Sequence, residues 1–202
     1  NIKSDRRISK RATIKMSQRF DFQKTSLEGL FKIDRKPITD SRGAFSRFFC
    51  IEEFKEVGFN HSIQQINHSI TKQKGTVRGL HFQYPPFSET KIVSCVKGSV
   101  FDVAVDLRQN SPTFLQWHAE ILSAESQSAL FIPDGFAHGF QTLEDNCELL
   151  YLVSNIYAPD SEGGVHALDS KIAINWPLEV VKMSKRDSTQ PNINKGFKGI
   201  EL

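Results

Sequence analysis

Two histidine-containing motifs hold the residues best suited to chemistry. The segment GTVRGLHFQYPP (75–86) places Arg78 and His81 three residues apart, shortly before a pair of prolines. The segment IPDGFAHGF (132–140) places His138 just after a Pro-x-Gly turn. Because an imidazole titrates near neutral pH, such residues serve as general bases, general acids or metal ligands. The sequence therefore indicates a site built around two histidines on elements that end in tight turns.

The spacing around these histidines bears on metal binding. The second motif matches the P-x-G-x-x-H pattern that lines the barrel of cupins, whereas a metal-binding cupin usually has H-x-H followed closely by Glu in the first motif. Here the second position of that pair is Gln83, and Glu89 lies too far along the chain. Imidazole and carboxylate ligands suit a borderline metal, so His81, His138 and one carboxylate form an alternative facial triad. We predict that the protein binds no metal.

The elements that position these motifs are predicted to be short strands. Turn residues recur about every 8–12 residues, and no stretch keeps a helical period, which favours an antiparallel barrel or sandwich. A polar–apolar stretch at 51–58 predicts one or two helical turns, and 180–187 predicts a short helix or ordered loop. The predicted strands are 27–33, 44–49, 62–70, 76–84, 90–98, 99–107, 116–122, 128–135, 137–143 and 148–157.

The alternation of side chains along two strands predicts a polar interior. In SVFDVAVDL (99–107) the odd positions from 101 are apolar, while Asp102 and Asp106 project from the opposite face. In ELLYLVSNIY (148–157), Tyr151 and Tyr157 are six residues apart and share a side if the strand stays regular. A small barrel whose strands aim polar groups inward holds one ligand.

Composition and charge narrow the class of protein. The 202 residues are 39% hydrophobic and 24% charged, which is typical of a globular domain. Residues 1–20 carry seven Lys or Arg against one Asp, so the +3 net charge of the chain leaves −3 on the rest. We interpret 1–20 as a basic, disordered extension and 21–202 as one domain, with neither nucleic acid nor membrane as a partner.

The cysteines and the N-terminus predict the compartment. The three cysteines, Cys50, Cys95 and Cys147, are far apart and lack a CxxC partner, so we expect reduced thiols. The N-terminus has charge but no apolar core of a signal peptide. Both observations favour the cytoplasm.

Between Ser26 and Asp187 the sequence closely resembles the dTDP-4-dehydrorhamnose 3,5-epimerase family of cupins. The motifs that carry the resemblance are DSRGAFSRFF, QQINHS, GTVRGLHFQ, SETKIVSCVKGSVFDVAVDLRQNSPTF, IPDGFAHGF and ELLYLVSNIYAP, in that order. The resemblance implies a mainly β, cupin-type double-stranded β-helix (a jelly-roll barrel) with a few short helices. It also implies epimerisation at C3, C5 or both of a nucleotide-diphosphate 4-keto-6-deoxy sugar, without a cofactor.

The family pattern also implies a catalytic role for particular residues. His81 is the base, oriented by Asp187 of the segment SKRD, and Tyr157 is the acid. Lys91 stabilises the enolate that forms when a carbon beside the ketone loses its proton. Tyr151 lines the same wall as Tyr157, and His138 with Asp102 forms a second buried pair that shapes the pocket.

The same resemblance implies the substrate-binding residues. Arg78 and Arg42 contact the diphosphate, since a guanidinium binds phosphate oxygens in a bidentate manner. Phe45 faces the nucleotide base in the site of a partner subunit, which implies a homodimer. Where the family usually has Glu, this chain has Arg47, which puts the identity of the nucleotide base in doubt. The remaining predicted substrate contacts are Gln65, Asn67 and Arg186.

Three alternatives stay open at this point. The first is a monofunctional 3- or 5-epimerase for a different nucleotide sugar, because positioning alone decides which carbon exchanges its proton. The second is a metal-dependent cupin oxygenase or isomerase. The third is a non-catalytic sugar-binding cupin, although such a protein is expected to lack the equivalents of His81 or Tyr157.

Overall fold

The computed structural model describes residues 18–202, which form thirteen strands and two short α-helices. The predicted boundary at residue 20 falls on Phe20, which is buried as the first residue of a strand; residues 1–17 of the predicted extension lie outside the described residues. The strands are β1 (Phe20–Lys24), β2 (Phe31–Arg35), β3 (Ile38–Asp40), β4 (Gly43–Phe45), β5 (Gln65–Thr71), β6 (Val77–Gln83), β7 (Lys91–Lys97), β8 (Ser99–Asp106), β9 (Trp117–Ser123), β10 (Ser128–Ile132), β11 (Phe136–Thr142), β12 (Cys147–Val153) and β13 (Glu162–Gly164); the α-helices are α1 (Ile51–Phe54) and α2 (Lys185–Ser188).

All pairings between these strands are antiparallel. One sheet has six strands in the order β1-β2-β10-β7-β12-β5, and a second has five in the order β13-β6-β11-β8-β9. The remaining strands, β3 and β4, form a separate two-stranded hairpin. Neighbours in the large sheets are mostly distant in sequence, so each sheet brings together motifs from different parts of the chain. The prediction of a mainly β, antiparallel architecture with few short helices is confirmed.

The two large sheets face each other across one apolar core. Val93 and Leu149 of the six-stranded sheet and Ala104 and Phe140 of the five-stranded sheet belong to this cluster, and all are buried. Alternation then sends the intervening side chains outward. Val103 and Val105 pack with a separate apolar cluster supplied largely by the C-terminal segment, with Val165, Ala167, Ile172, Ile193 and Ile200.

The six-stranded sheet is covered in a similar way on its outer face. Phe54 of α1 and Phe59 pack there against Ile33, Phe131 and Leu152. The helical turn predicted at 51–58 is confirmed as α1 followed by a 3-10 helix over Lys55–Val57. Because apolar residues cover both outer faces, the polar side chains that point inward must lie in the space between the two sheets.

The observed strands depart from the predicted ones at several ends. The strand predicted over 148–157 ends at Val153, so Tyr157 lies on the loop that follows it. The predicted helix at 180–187 is limited to the four residues of α2. Strands β1, β3 and β13 were not predicted: β3 and β13 have only three residues each, and β1 begins at Phe20, inside the predicted extension. Within residues 18–202, no helix is long and apolar enough to cross a bilayer.

Candidate active site

A cavity of about 660 Å³ lies between the sheets and is closed on one side by residues 182–187. Strands β5, β7 and β12 of one sheet and β6 and β11 of the other contribute to its wall. All four predicted catalytic residues line it, as do six of the predicted substrate contacts. These residues are His81, Lys91, Tyr157 and Asp187, with Gln65, Asn67, Arg78, His138, Tyr151 and Arg186.

Two glycines allow the strands that carry the histidines to approach closely. A Cβ on Gly79 of β6 would lie 2.6 Å from the Cα of Gly139 on β11, a distance that no side chain tolerates. The φ of Gly79 is +116°, which residues with a side chain rarely adopt. This approach sets His81 opposite His138 in the register of the two strands. The glycines of both histidine motifs are therefore part of how the site is built.

His81 is held by a buried carboxylate. Its Nε2 lies 2.7 Å from Oδ1 of Asp187, and the other oxygen of Asp187 accepts a hydrogen bond from the backbone N–H of Gly79 at 3.2 Å. Burial by itself raises the pKa of Asp187, but the hydrogen bond and charge of His81 outweigh it and lower the pKa overall. Because an anionic carboxylate only accepts, we assign the proton between them to Nε2. The Nδ1 of His81 is then the basic nitrogen.

Tyr157 is exposed at the edge of the cavity, on a loop fixed by two glutamines. Its backbone N–H donates to Oε1 of Gln65 at 2.7 Å, and the next N–H donates to Oε1 of Gln83 at the same distance. The Tyr157 hydroxyl donates to Oε2 of Glu162 at 3.2 Å. The charge of Glu162 is the main cause of a raised Tyr157 pKa. The phenol therefore stays protonated, as a proton donor at neutral pH requires.

Lys91 is the cationic group at the start of β7. Its side chain is only 12% exposed, and its ammonium lies 2.8 Å from Oε1 of Glu89. Glu89 also lines the cavity but was not singled out from the sequence. The sequence contained a signal for it, since Glu89 and Lys91 are two apart and can project to one side of an extended segment. The pair puts a charged donor and its counter-ion inside the cavity.

A second histidine–carboxylate pair lies deeper between the sheets. Nε2 of His138 is 3.0 and 2.9 Å from the two oxygens of Asp102, which is fully buried. Burial raises the pKa of Asp102, and the charge and hydrogen bond of His138 oppose that rise. Tyr151 packs edge-on against the His138 ring and is 3.0 Å from the hydroxyl of Ser69. Burial raises the Tyr151 pKa, so its phenol remains neutral.

The structure places three predicted substrate contacts away from this cavity. Arg42 and Phe45 lie on the β3–β4 hairpin, where Phe45 is 71% exposed and Arg42 pairs with Asp40 at 2.6 Å. Arg47 pairs with the buried carboxylate of Glu53 at 2.7 Å. Within one chain these residues do not meet His81, so any contact with the same substrate requires a second chain.

Among residues 18–202, no group of three or more His, Cys, Asp or Glu side chains is placed to hold a metal ion. The two histidines of the site each bond a carboxylate on a different element. Three cysteines are free thiols in the same part of the chain, and burial raises the pKa of Cys95 to about 12.

The fold and the site together define the class of this protein. Two packed antiparallel sheets with a histidine-lined cavity between them form a cupin-type barrel, and this barrel gathers two histidines, two tyrosines and a lysine around a single space. The chain belongs to the dTDP-4-dehydrorhamnose 3,5-epimerase family, whose model matches residues 24–195.

Individual relatives agree with this assignment. The dTDP-4-dehydrorhamnose 3,5-epimerase of Salmonella typhimurium is 41% identical over 176 residues, which cover 86% of this chain and 96% of that protein. The dTDP-4-dehydrorhamnose 3-epimerase of Streptomyces niveus is 40% identical over 162 residues, covering 80% and 78%.

A solved structure agrees as well. The dTDP-6-deoxy-D-glucose-3,5-epimerase of Legionella pneumophila, in complex with dTDP-4-keto-L-rhamnose, superposes with a TM-score of 0.82 at 39% identity. The match covers 86% of this chain and 92% of that one. The predictions of the family, of a cupin-type fold and of an isomerase of the epimerase class are confirmed.

Proposed function

We propose that this protein epimerises C3 and C5 of a dTDP-linked 4-keto-6-deoxy sugar. The observation that carries the proposal is the meeting of the His81–Asp187 pair, Lys91 and Tyr157 around one cavity. The relatives from Salmonella and Legionella bear names with this activity, and the Legionella structure holds a dTDP-linked keto sugar. The cavity volume of about 660 Å³ lies in the range of small-molecule sites.

The side chains divide the reaction among them. Nδ1 of His81 takes the proton from the carbon beside the ketone, and Asp187 stabilises the imidazolium that results. The ammonium of Lys91 turns from Glu89 to the ketone oxygen, where negative charge develops. Tyr157 returns a proton to the opposite face of the carbon, which inverts it. Each step moves only a proton, so the sugar is neither oxidised nor reduced.

The diphosphate is assigned to the Arg78 side of the cavity. Arg78 is exposed there and is held by Thr71 and by the backbone carbonyl of Ile70, at 2.9 and 3.1 Å. Gln65 and Asn67 project from β5 on the same side and supply further polar contacts. A guanidinium presented in this way suits phosphate oxygens.

A homodimer would complete the site. All eight residues of the β3–β4 hairpin (38–45) are exposed, so two chains can pair with this hairpin bringing Arg42 and Phe45 to the cavity of the second chain. Mixing His81→Asn with Phe45→Ala tests this, because a mixed dimer keeps one cavity with both residues native. Activity above that of either variant is expected; mixed dimers that form without any gain would refute a shared site.

The free thiols support a reducing compartment, and we place the reaction in the cytoplasm. Fractionation of cells that make the protein, followed by immunodetection, checks this placement; recovery in a secreted fraction would contradict it.

The substrate and the inverted carbons are tested together. A panel of nucleotide-linked 4-keto-6-deoxy sugars, with thymidine, uridine, guanosine and cytidine as the nucleoside, is incubated with enzyme in heavy water. We expect deuterium at both C3 and C5 of the dTDP sugar, with inversion at each. The absence of exchange with every sugar, in a folded preparation free of metal and again after addition of divalent metals, would reject the proposal.

A second candidate is a 3-epimerase, favoured by the Streptomyces niveus relative of nearly equal identity. The same experiment separates the two functions, because a 3-epimerase incorporates deuterium at C3 without inverting C5.

A further inference from the structure

A carboxylate at the start of β13 joins the two sides of the cavity. Glu162 follows the 3-10 helix Pro159–Ser161 and pairs in register with Gln83 of β6, two residues beyond His81. Its side chain is 21% exposed, and its oxygens contact two cavity residues, Tyr157 and Arg186. No sequence motif marked this residue.

Arg186 is the link between the two sides. Its Nη1 lies 3.0 Å from each oxygen of Glu162, and its Nη2 lies 2.9 Å from Nε2 of His81. Its Nε is 3.7 Å from Oδ1 of Asp187. Because a guanidinium has only donors, it cannot donate to Nε2 while that nitrogen carries the proton shared with Asp187. The bonds to Glu162 are therefore the anchor that holds Arg186 beside His81.

Tyr157 depends on Glu162 in a different way. Its side chain is about half exposed, and the loop bonds from Gln65 and Gln83 fix its backbone without fixing the direction of the phenol. The hydroxyl bond to Glu162 supplies that direction. An ion pair near the surface, such as Glu162–Arg186, contributes little to stability. The effect of Glu162 on the reaction therefore depends on its contact with the Tyr157 hydroxyl.

We propose that Glu162 is a positioning residue that aims the Tyr157 hydroxyl and holds Arg186 beside His81, so that proton removal and proton return occur in one geometry. This inference rests on the proposed function, in which Tyr157 is the acid. It predicts that loss of Glu162 harms inversion more than proton removal, since His81 keeps Asp187.

The first test needs no substrate. The chain has three tyrosines, so the ring carbons of labelled tyrosine can be followed by NMR during a pH titration and assigned with Tyr157→Phe. The charged groups acting on Tyr157 are Glu162, which raises its pKa, and Arg186, which lowers it. Glu162→Ala should therefore shift the Tyr157 titration to lower pH, because the largest cause of the raised pKa is removed. Asp160→Asn, an exposed carboxylate two residues earlier, is the matched control and should cause no shift.

The second test measures inversion per exchange event with the dTDP-linked keto sugar in heavy water. Glu162→Ala should lower the rate of inversion about tenfold, as expected for loss of one hydrogen bond to a charged group, and should lower the rate of deuterium exchange much less. In a Tyr157→Phe background the same substitution should cost less inversion than in the wild type, because Glu162 then has no hydroxyl to aim and acts only through Arg186. Glu162→Asp, which keeps the charge, should recover part of the wild-type ratio of inversion to deuterium exchange.

The outcomes separate this inference from the proposed function. A folded wild-type enzyme that neither exchanges nor inverts any sugar refutes both. If the wild-type enzyme inverts the sugar but Glu162→Ala shows no shift of the Tyr157 titration, the role of Glu162 is overturned and the proposed function stands. The same holds if Glu162→Ala loses exchange and inversion equally. Fully additive losses in the double variant also overturn it, because they mean that Glu162 does not act through the Tyr157 hydroxyl.

Discussion

Replacement of Asp187 by Asn removes one charge while keeping the shape of the side chain. In the native chain its two oxygens accept from two donors, Nε2 of His81 at 2.7 Å and the N–H of Gly79 at 3.2 Å. An amide has one oxygen and one NH₂ group, so it satisfies only one of these donors and faces the other with hydrogens. With the Nε2–H tautomer of His81, one contact is lost whichever way the amide turns. The other tautomer keeps both contacts but places the proton on Nδ1, which can then no longer accept a proton from the sugar.

The size of the effect follows from this loss. A hydrogen bond to a charged group is worth about 1.5–3 kcal/mol, and each 1.36 kcal/mol is a factor of ten in rate. If Asp187 stabilises the imidazolium of His81 in the transition state, kcat/KM for inversion should fall about 10- to 150-fold. The free energy of unfolding at pH 7 should fall by about 1–3 kcal/mol, because the charged hydrogen bond between Asp187 and His81 is replaced by a neutral one or lost.

The charge of Asp187 also predicts how the stability of the fold depends on pH. The pKa of Asp187 is lowered in the folded chain, so its ionisation stabilises the fold at pH values above the ordinary carboxyl pKa. That stabilisation is lost as the pH falls through the lowered pKa. The difference in unfolding free energy between wild type and Asp187→Asn should therefore narrow on acidification.

Urea denaturation at pH 7 and near pH 3 measures the stability, and steady-state kinetics with the dTDP-linked keto sugar measures the rate. Asp21→Asn, at an exposed position of β1, is the matched carboxylate control. A fall in kcat/KM of less than about threefold would refute the assigned role, because it is well below the loss expected from one charged hydrogen bond.

Three further predictions concern the acid, a structural carboxylate and a glycine. Tyr157→Phe should still exchange the sugar proton with solvent, because His81 is intact, but should form little inverted product; inversion at the wild-type rate would show that Tyr157 is not the acid. Asp106 accepts from Arg108 and two hydroxyls while fully buried. Burial alone would raise its pKa, but these bonds outweigh that and lower the pKa. Asp106→Asn should therefore lower the unfolding free energy at pH 7 by about 3 kcal/mol or more, and less in acid; equal values at pH 7 would contradict this. Gly79→Ala would bring a Cβ to 2.6 Å from a backbone carbon of β11. The free energy of unfolding measured in urea should therefore fall by about 3 kcal/mol or more, the upper end of the range usual for single substitutions. A variant as stable as the wild type would refute the close approach.

Much of the barrel could be predicted from local pattern. Alternation along 99–107 correctly separated the face of Val103 and Val105 from that of Asp102, and Pro-x-Gly before His138 correctly marked a turn. What the pattern could not predict was the cover on the outer face. The segment after residue 160 has no regular period, yet Ile172 and Ile193 bury the apolar side of β8. Its order comes from tertiary packing, which local propensity does not encode.

The candidate site also contains some residues that the sequence predicted and others that it did not. His81, Lys91, Tyr157 and Asp187 were predicted from the resemblance to the family, and the structure brings all four to one cavity. Their roles remain predictions, as do the substrate contacts. Glu162 was missed because a carboxylate at a short strand carries no motif, and its contact with Arg186 becomes visible only when distant elements meet. Glu89 was weighed only as a metal ligand, although its spacing of two residues from Lys91 was a signal. Arg47 was expected near the nucleotide, but within one chain it pairs with Glu53.

The central claim is that His81 removes the proton beside the ketone. The most direct test is solvent exchange by His81→Asn, measured by NMR at C3 and C5 of the dTDP-linked keto sugar in heavy water, with folding verified by circular dichroism and thermal unfolding. A general base of this kind predicts that exchange at both carbons falls by about three or more orders of magnitude. Exchange that persists above about a tenth of the wild-type rate in a folded variant would contradict the account, because a general base contributes far more than tenfold.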